Sequence, residues 1–413
     1  MAAQEGNRGA SSRGTALRNI IRLIPAVVVI AATLNTASCN GNHTIFPQAG
    51  GGGGGGGSKT PTSTATAGTG ALAFVTNFND GKVSSFTRNI NTGALTLTKP
   101  QVTAGAKHGP RGVIASPNGN FLYVANMKDD KIYEFSVNQT TGALTRLSTP
   151  SVSNGNASGP DELAINSAGT LLWVTGAGNG TVTTYAVDAS TGLLTKKTSI
   201  GGFNTPFGIT LHPTLAELYV SDTVTGLIQP MSYNTTTGAL AKNFTAMHSS
   251  DVNANTPAAI AIDGGGVSLF IADQVLGEVS TFTINSDGSL TQGPTIANSS
   301  TGNVPVGVGL AVNTSIEYLF TANQGGGSVS SFIVNGGTNV ITPPVLASPY
   351  NGPTGLVVDP QSAFVYTADN NDGTVSQSMI KGSCVTQICV GPTVATESPA
   401  NPNSGPFGIT LAP

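Results

Sequence analysis

An all-β chain closed into a seven-bladed β-propeller with four-stranded blades is the fold this sequence predicts, on three observations. First, the chain ends on a copy of its own interior. Pro406-Phe407-Gly408-Ile409-Thr410-Leu411-Ala412-Pro413 repeats Pro206-Phe207-Gly208-Ile209-Thr210-Leu211-His212-Pro213, the mark of a repeat architecture. Looser copies begin at Pro110, Pro160, Pro257, Pro305 and Pro353. Second, an aromatic phrase recurs at Phe74, Tyr123, Trp173, Tyr219, Phe270, Phe320 and Tyr366, at intervals of about 46 to 51 residues, the length of a propeller blade. Third, the first aromatic phrase has no proline phrase before it, and the last proline phrase has no aromatic phrase after it. A ring whose C-terminal strand completes the N-terminal blade accounts for both orphans and leaves no open sheet edge.

Taken in order, residues 1–39 read as an export signal. Arg8, Arg13, Arg18 and Arg22 lead into an apolar run from Leu23 to Leu34 and then small residues before Cys39. The run is short and broken by Pro25, unlike a membrane-spanning helix. Its end resembles a bacterial lipobox, with Thr36 where leucine is usual, so the expectation is a lipid on Cys39 at the cell envelope or release to the periplasm or medium. Residues 40–70 carry an unbroken glycine tract, Gly50 to Gly57, followed by Ser, Thr and Pro. Such a segment is a tether with an r.m.s. span of roughly 30 Å. Cys384 and Cys389 remain as a pair, and in an oxidising compartment a disulfide between them is expected.

The propeller is expected over residues 71–413. Each proline phrase gives a short apolar innermost strand, and turns such as Ser116-Pro117-Asn118-Gly119 reverse the chain. The aromatic phrase is the second strand, its large side chains lying between blades. The third alternates, as in Lys131-Ile132-Tyr133-Glu134-Phe135-Ser136-Val137 and Glu278-Val279-Ser280-Thr281-Phe282-Thr283-Ile284, which predicts one buried face. A Thr-Gly-x-Leu turn at Thr92, Thr141, Thr191 and Thr237 then leads to an irregular outer strand.

The combination of proline-x-glycine strand, aromatic-valine-alanine-asparagine strand and Thr-Gly-x-Leu turn resembles the seven-bladed propeller lactonase family, over about residues 71–413. That family includes 6-phosphogluconolactonases and a muconate-lactonizing enzyme. The resemblance implies the propeller fold and lactone hydrolysis without a cofactor. His108-Gly109-Pro110-Arg111 looks like the Gly-Pro-Arg-His segment of the phosphogluconolactonase branch, with Gly112 where that branch has its histidine.

Chemistry in a propeller concentrates where inner strands converge, so the two positions after each proline are candidates. Only two adjacent blades offer charge there: Arg111, and Asp161 with Glu162. Hydrolysis needs a base and a group to stabilise an oxyanion. Glu162 or His108 is the candidate base and Arg111 the clamp, with Asp161, Phe207 and Phe407 contributing to substrate binding. A simple charge-offsetting pair of Arg111 with Asp161 or Glu162 is the alternative. Of seventeen Lys and Arg residues, twelve follow residue 70, and only Arg111 among them is placed for a phosphate, so an unphosphorylated lactone is the expected substrate. The net charge of −3 gives no footprint for nucleic acid or an anionic membrane, and a closed ring is expected to stay monomeric. Two functions stay open: a lactonase-like hydrolase, or a non-catalytic envelope scaffold binding a protein or glycan.

Overall fold

A computed structural model describes residues 71–249, 256–297, 304–313, 316–335, 340–341, 345–380, 388–396 and 401–412. The expected export signal with Cys39, the tether and Cys384 lie outside the described residues.

The described residues form seven antiparallel blades. Blade 1 comprises Pro406–Ala412, Leu72–Asn77, Lys82–Arg88 and Leu95–Thr103, so the last strand of the chain is the inner strand of the first blade. Blade 2 is Pro110–Ala115, Phe121–Asn126, Lys131–Val137 and Leu144–Ser153; blade 3 is Pro160–Ile165, Leu171–Gly176, Thr181–Val187 and Leu194–Ile200. Blade 4 (Pro206–Leu211, Glu217–Asp222, Leu227–Tyr233) has an outer strand in two pieces, Leu240–Ala241 and Met247–His248. Blade 5 is Pro257–Ile262, Ser268–Asp273, Glu278–Ile284 and Leu290–Ala297. Blade 6 (Pro305–Asn313, Ile316–Asn323, Ser328–Asn335) again splits its outer strand, into Val340–Ile341 and Val345–Ala347. Blade 7 is Pro353–Val358, Phe364–Asp369, Thr374–Ile380 and Ile388–Ala395. The inner strand Pro406–Ala412 packs against those of both blade 2 and blade 7, which closes the ring.

Hydrophobic cores sit between blades. Leu72, Phe74 and Val83 of blade 1 pack with Val113, Leu122 and Val124 of blade 2, and the pattern recurs around the ring. The leading aromatics of all seven second strands are fully buried. Three carry a hydroxyl, and each donates it to the glycine carbonyl of the next blade's Thr-Gly-x-Leu turn or its Asp-Gly variant: Tyr123 to Gly192, Tyr219 to Gly288 and Tyr366 to Gly93, at 2.8 to 3.0 Å. Those glycines hold positive φ, which lets the turn close without a Cβ clash.

The third strands depart from the expected single buried face. In Lys131–Val137, Ile132, Tyr133, Glu134 and Phe135 are buried in succession, and Glu278–Ile284 shows the same run of four from Val279 to Phe282. Each blade is sandwiched between two neighbours, so both faces are covered and the polar side chains on them need partners. Accordingly, Thr184 donates to the Gly238 carbonyl, Gln377 to the Thr92 carbonyl, and Glu134 accepts the Leu194 amide, each reaching into the next blade.

Candidate active site

The channel end where the proline phrases begin is shaped by a break in the sheet. In six blades the inner strand pairs its proline with the end of the second strand, and the regular register resumes only three residues later. Proline cannot donate to a ladder, and the resulting bulge frees the next two residues and re-aims their side chains. These are the positions of Arg111 and Gly112 in blade 2, and of Asp161 and Glu162 in blade 3.

In blades 1, 3 and 4 a hydroxyl on the second strand takes up a freed amide. Thr76 accepts from the Gly408 amide at 2.8 Å and donates to the Arg111 carbonyl at 2.6 Å in the next blade. Thr175 does the same between Glu162 and Phe207, at 3.0 and 2.9 Å. Thr76 and Thr175 therefore tie their own inner strands to the backbone of Arg111 and of Phe207 in the following blade.

Gly112 has a steric cause. A Cβ there would overlap the Asp161 carbonyl, and at Gly408 it would overlap the Arg111 carbonyl. With the inner strands in backbone contact here, a side chain at position 112 does not fit. In blade 3 the same slot holds Glu162 instead.

The structure brings Arg111 and Asp161 together. Arg111 Nη1 and Asp161 Oδ2 form a short ion pair across the boundary of blades 2 and 3, with Arg111 only 5% and Asp161 0% exposed. Three phenyl rings surround the guanidinium: Phe407 at 4.4 Å, Phe207 at 5.4 Å and Phe78 at 5.9 Å from ring centroid to Cζ. Arg111 Nη1 also points at the Met127 sulfur, 3.7 Å away. Glu162 is buried, and its Oε1 has no hydrogen-bond partner. Burial pushes its carboxyl well above the usual range, the Asp161 charge adds to the rise, and Arg111 opposes it.

His108 is not gathered into this cluster. It is exposed, on the loop before Pro110, with its ring beside the Gly81 turn of blade 1. Phe78, Met127 and Lys128 are additions that sequence reasoning missed. Phe78 is partly exposed, stacks at 5.9 Å and 37° on buried Phe407, and has the Lys128 ammonium 4.8 Å from its centroid. A signal existed, because Phe78 directly follows Asn77, the close of an aromatic phrase. The equivalent Thr223 and Asn370 reach the next blade's proline carbonyl, at 3.1 and 3.0 Å.

Comparison with known proteins places the fold. A candidate 6-phosphogluconolactonase from Bacteroides fragilis superimposes with a TM-score of 0.67 at 15% identity, covering 85% of this chain and 100% of its own. The periplasmic gluconolactonase of Pseudomonas aeruginosa gives 0.63 at 14% identity, with 83% and 99% covered. The hydrazine synthase of Kuenenia stuttgartiensis gives 0.55 at 14%, with 78% and 99% covered, so the fold by itself does not select a reaction. No curated protein matches the sequence. The family described as lactonase, 7-bladed beta-propeller, matches residues 65–207, the stretch that contains Phe78, Arg111, Asp161, Glu162 and Phe207. Over that stretch the chain carries the sequence pattern of the lactonase seven-bladed β-propellers, and its fold completes the pattern with all seven blades.

Proposed function

We propose that this protein is an exported lactone hydrolase whose reaction centre is the Arg111, Asp161 and Glu162 cluster at the channel end. The observation that carries the reading is the buried Glu162 carboxyl, its Oε1 without a hydrogen-bond partner, lying within the electrostatic reach of the Arg111–Asp161 pair, at adjoining bulges of blades 2 and 3. A carboxyl raised by burial is a stronger base once ionised. In this reading Glu162 takes a proton from water as the water oxygen bonds to the lactone carbonyl carbon. Arg111 stabilises the oxyanion, with Asp161 fixing the guanidinium. The ring C–O bond then breaks, and the Glu162 proton passes to the departing alkoxide, giving the open hydroxy acid. No cofactor takes part. The substrate is unphosphorylated, because the Arg111 guanidinium at the reaction centre is already paired with Asp161.

Support for export comes from the basic, apolar and small-residue order of residues 1–39, and a structural neighbour is a periplasmic enzyme. A lipid on Cys39 and a glycine-rich tether would hold a monomeric propeller at the envelope.

A second reading rests on a specific observation: Arg111 is 5% exposed and already engaged by a carboxylate and three rings. A charge pair so enclosed also suits a non-catalytic scaffold that binds an envelope protein or glycan on a propeller face. Hydrolysis of a lactone panel, followed by base uptake, separates the two. The hydrolase reading expects turnover above the spontaneous rate that falls at least a hundredfold in Glu162→Gln with the melting temperature retained. Rates equal to spontaneous hydrolysis for every lactone would leave the scaffold.

A further inference from the structure

We infer that the ligand of this channel end is an aryl lactone, a lactone fused to or bearing an aromatic ring, and that Phe78 selects it. The inference rests on the hydrolase reading for the site's location and goes beyond it in naming the ligand class and the residue that recognises it.

Packed on the Arg111 guanidinium, beside Asp161, stand three phenyl rings and a thioether. The other positions after the prolines continue the pattern. Ala258 and Val306 are apolar and buried, and the Thr354 hydroxyl is already donated to backbone carbonyls of its own blade and of Pro406–Phe407. A polyhydroxylated lactone leaves its hydration shell only where side chains replace those hydrogen bonds, and a site that lacks them discriminates against it. These side chains make an apolar floor, on which the partly exposed Phe78 ring stands beside Arg111.

Phe78 is the ring that can meet a ligand. Phe207 and Phe407 are 6% and 2% exposed, whereas Phe78 stands on the turn after Leu72–Asn77, partly open, and rests on Phe407. Its exposed part, with Phe407 behind it, forms an aromatic wall beside Arg111. Offset or edge-on stacking between aromatic groups favours an aryl ligand over an aliphatic one of equal size. The lactone carbonyl would then be turned toward the guanidinium.

The test compares dihydrocoumarin, an aryl lactone, with glucono-1,5-lactone on the full mature protein, its Phe78→Ala and Phe78→Tyr variants, and Glu162→Gln. The expected result is at least a tenfold preference in kcat/KM for dihydrocoumarin. That preference should be lost in Phe78→Ala through KM and restored in Phe78→Tyr. Calorimetric titration of coumarin into the Glu162→Gln protein, and into Glu162→Gln with Phe78→Ala, reads recognition without chemistry and should show at least tenfold weaker binding in the double variant. Coumarin binding that depends on Phe78, without hydrolysis of any lactone, supports the ligand class and removes the hydrolase reading. Turnover that depends on Glu162 but prefers gluconolactone overturns the inference while the hydrolase reading stands. Absence of Phe78-dependent coumarin binding also overturns it.

Discussion

The hydroxyl of Tyr366 in the last blade donates to the carbonyl of Gly93 in the first, at 2.8 Å across 273 residues of chain. Together with the pairing of Pro406–Ala412 on Leu72–Asn77, which joins the first and last strands of the propeller within blade 1, this bond holds blade 7 to blade 1 and helps close the ring. Tyr366→Phe strips a buried carbonyl of its donor and should cost about 1–3 kcal/mol in urea unfolding. Tyr123→Phe, which removes the same clasp on Gly192 at an interior seam, should cost a similar amount. A much smaller loss for Tyr366 would mean that the closing seam is held by the strand pairing alone.

The Arg111–Asp161 pair is buried on both sides. Removing one partner strands a charge, so Arg111→Met alone or Asp161→Leu alone should lose about 3–5 kcal/mol of stability. The double variant leaves no orphan and should recover most of that loss. A double-mutant cycle by chemical denaturation checks it, and additive losses would contradict a buried ion pair.

Gly112→Ala places a methyl group on the Asp161 carbonyl. Because the obstacle is backbone, the strand must shift, and overpacking of this kind costs about 1–3 kcal/mol. Gly264→Ala, where an added Cβ meets nothing within 4 Å, is the matched control and should be near neutral by thermal melting.

The seven phrases, their strand assignment, the split first blade and the placing of aromatics between blades were legible because each rests on a pattern repeated around the ring. The pairing of Arg111 with Asp161 was legible as one of several options, since both follow a proline in adjacent blades. Three features were not. The hydroxyls of Thr76 and Thr175, which tie the bulged inner strands of blades 1 and 3 to the next blade, read only as small residues of a strand. The burial of both faces of Lys131–Val137 comes from neighbouring blades, which local alternation does not report. Phe78 reaches Arg111 because a turn in one blade overhangs the next, a relation of tertiary geometry rather than of spacing.

Three carboxyls held largely out of water, Glu134 and Asp369 buried and Glu317 half-buried, make stability depend on pH. Burial raises Glu134, Glu317 and Asp369 each to about 7. Between the ordinary carboxylate range and pH 7 the folded protein therefore keeps protons that the unfolded chain has released. Stability from these groups is fully present only below about pH 4 and is lost progressively as pH rises to about 7. Buried His212 is shifted downward and acts in the opposite direction, below its ordinary value. The melting temperature should fall from pH 5.5 to pH 8, and Glu134→Gln should make that fall shallower. A melting temperature that rises over the interval would contradict the burial of these groups.

The most direct test of the hydrolase reading is the pH–rate profile of lactone hydrolysis, corrected for the spontaneous reaction, for the native protein beside Glu162→Gln. With Glu162 as base, kcat/KM should be low where its carboxyl holds its proton and rise with pH through an apparent pKa above the usual carboxylate range. That rise should vanish in Glu162→Gln. A profile unchanged by the substitution, or no reaction above the spontaneous rate at any pH, would contradict the assignment of this cluster as a reaction centre.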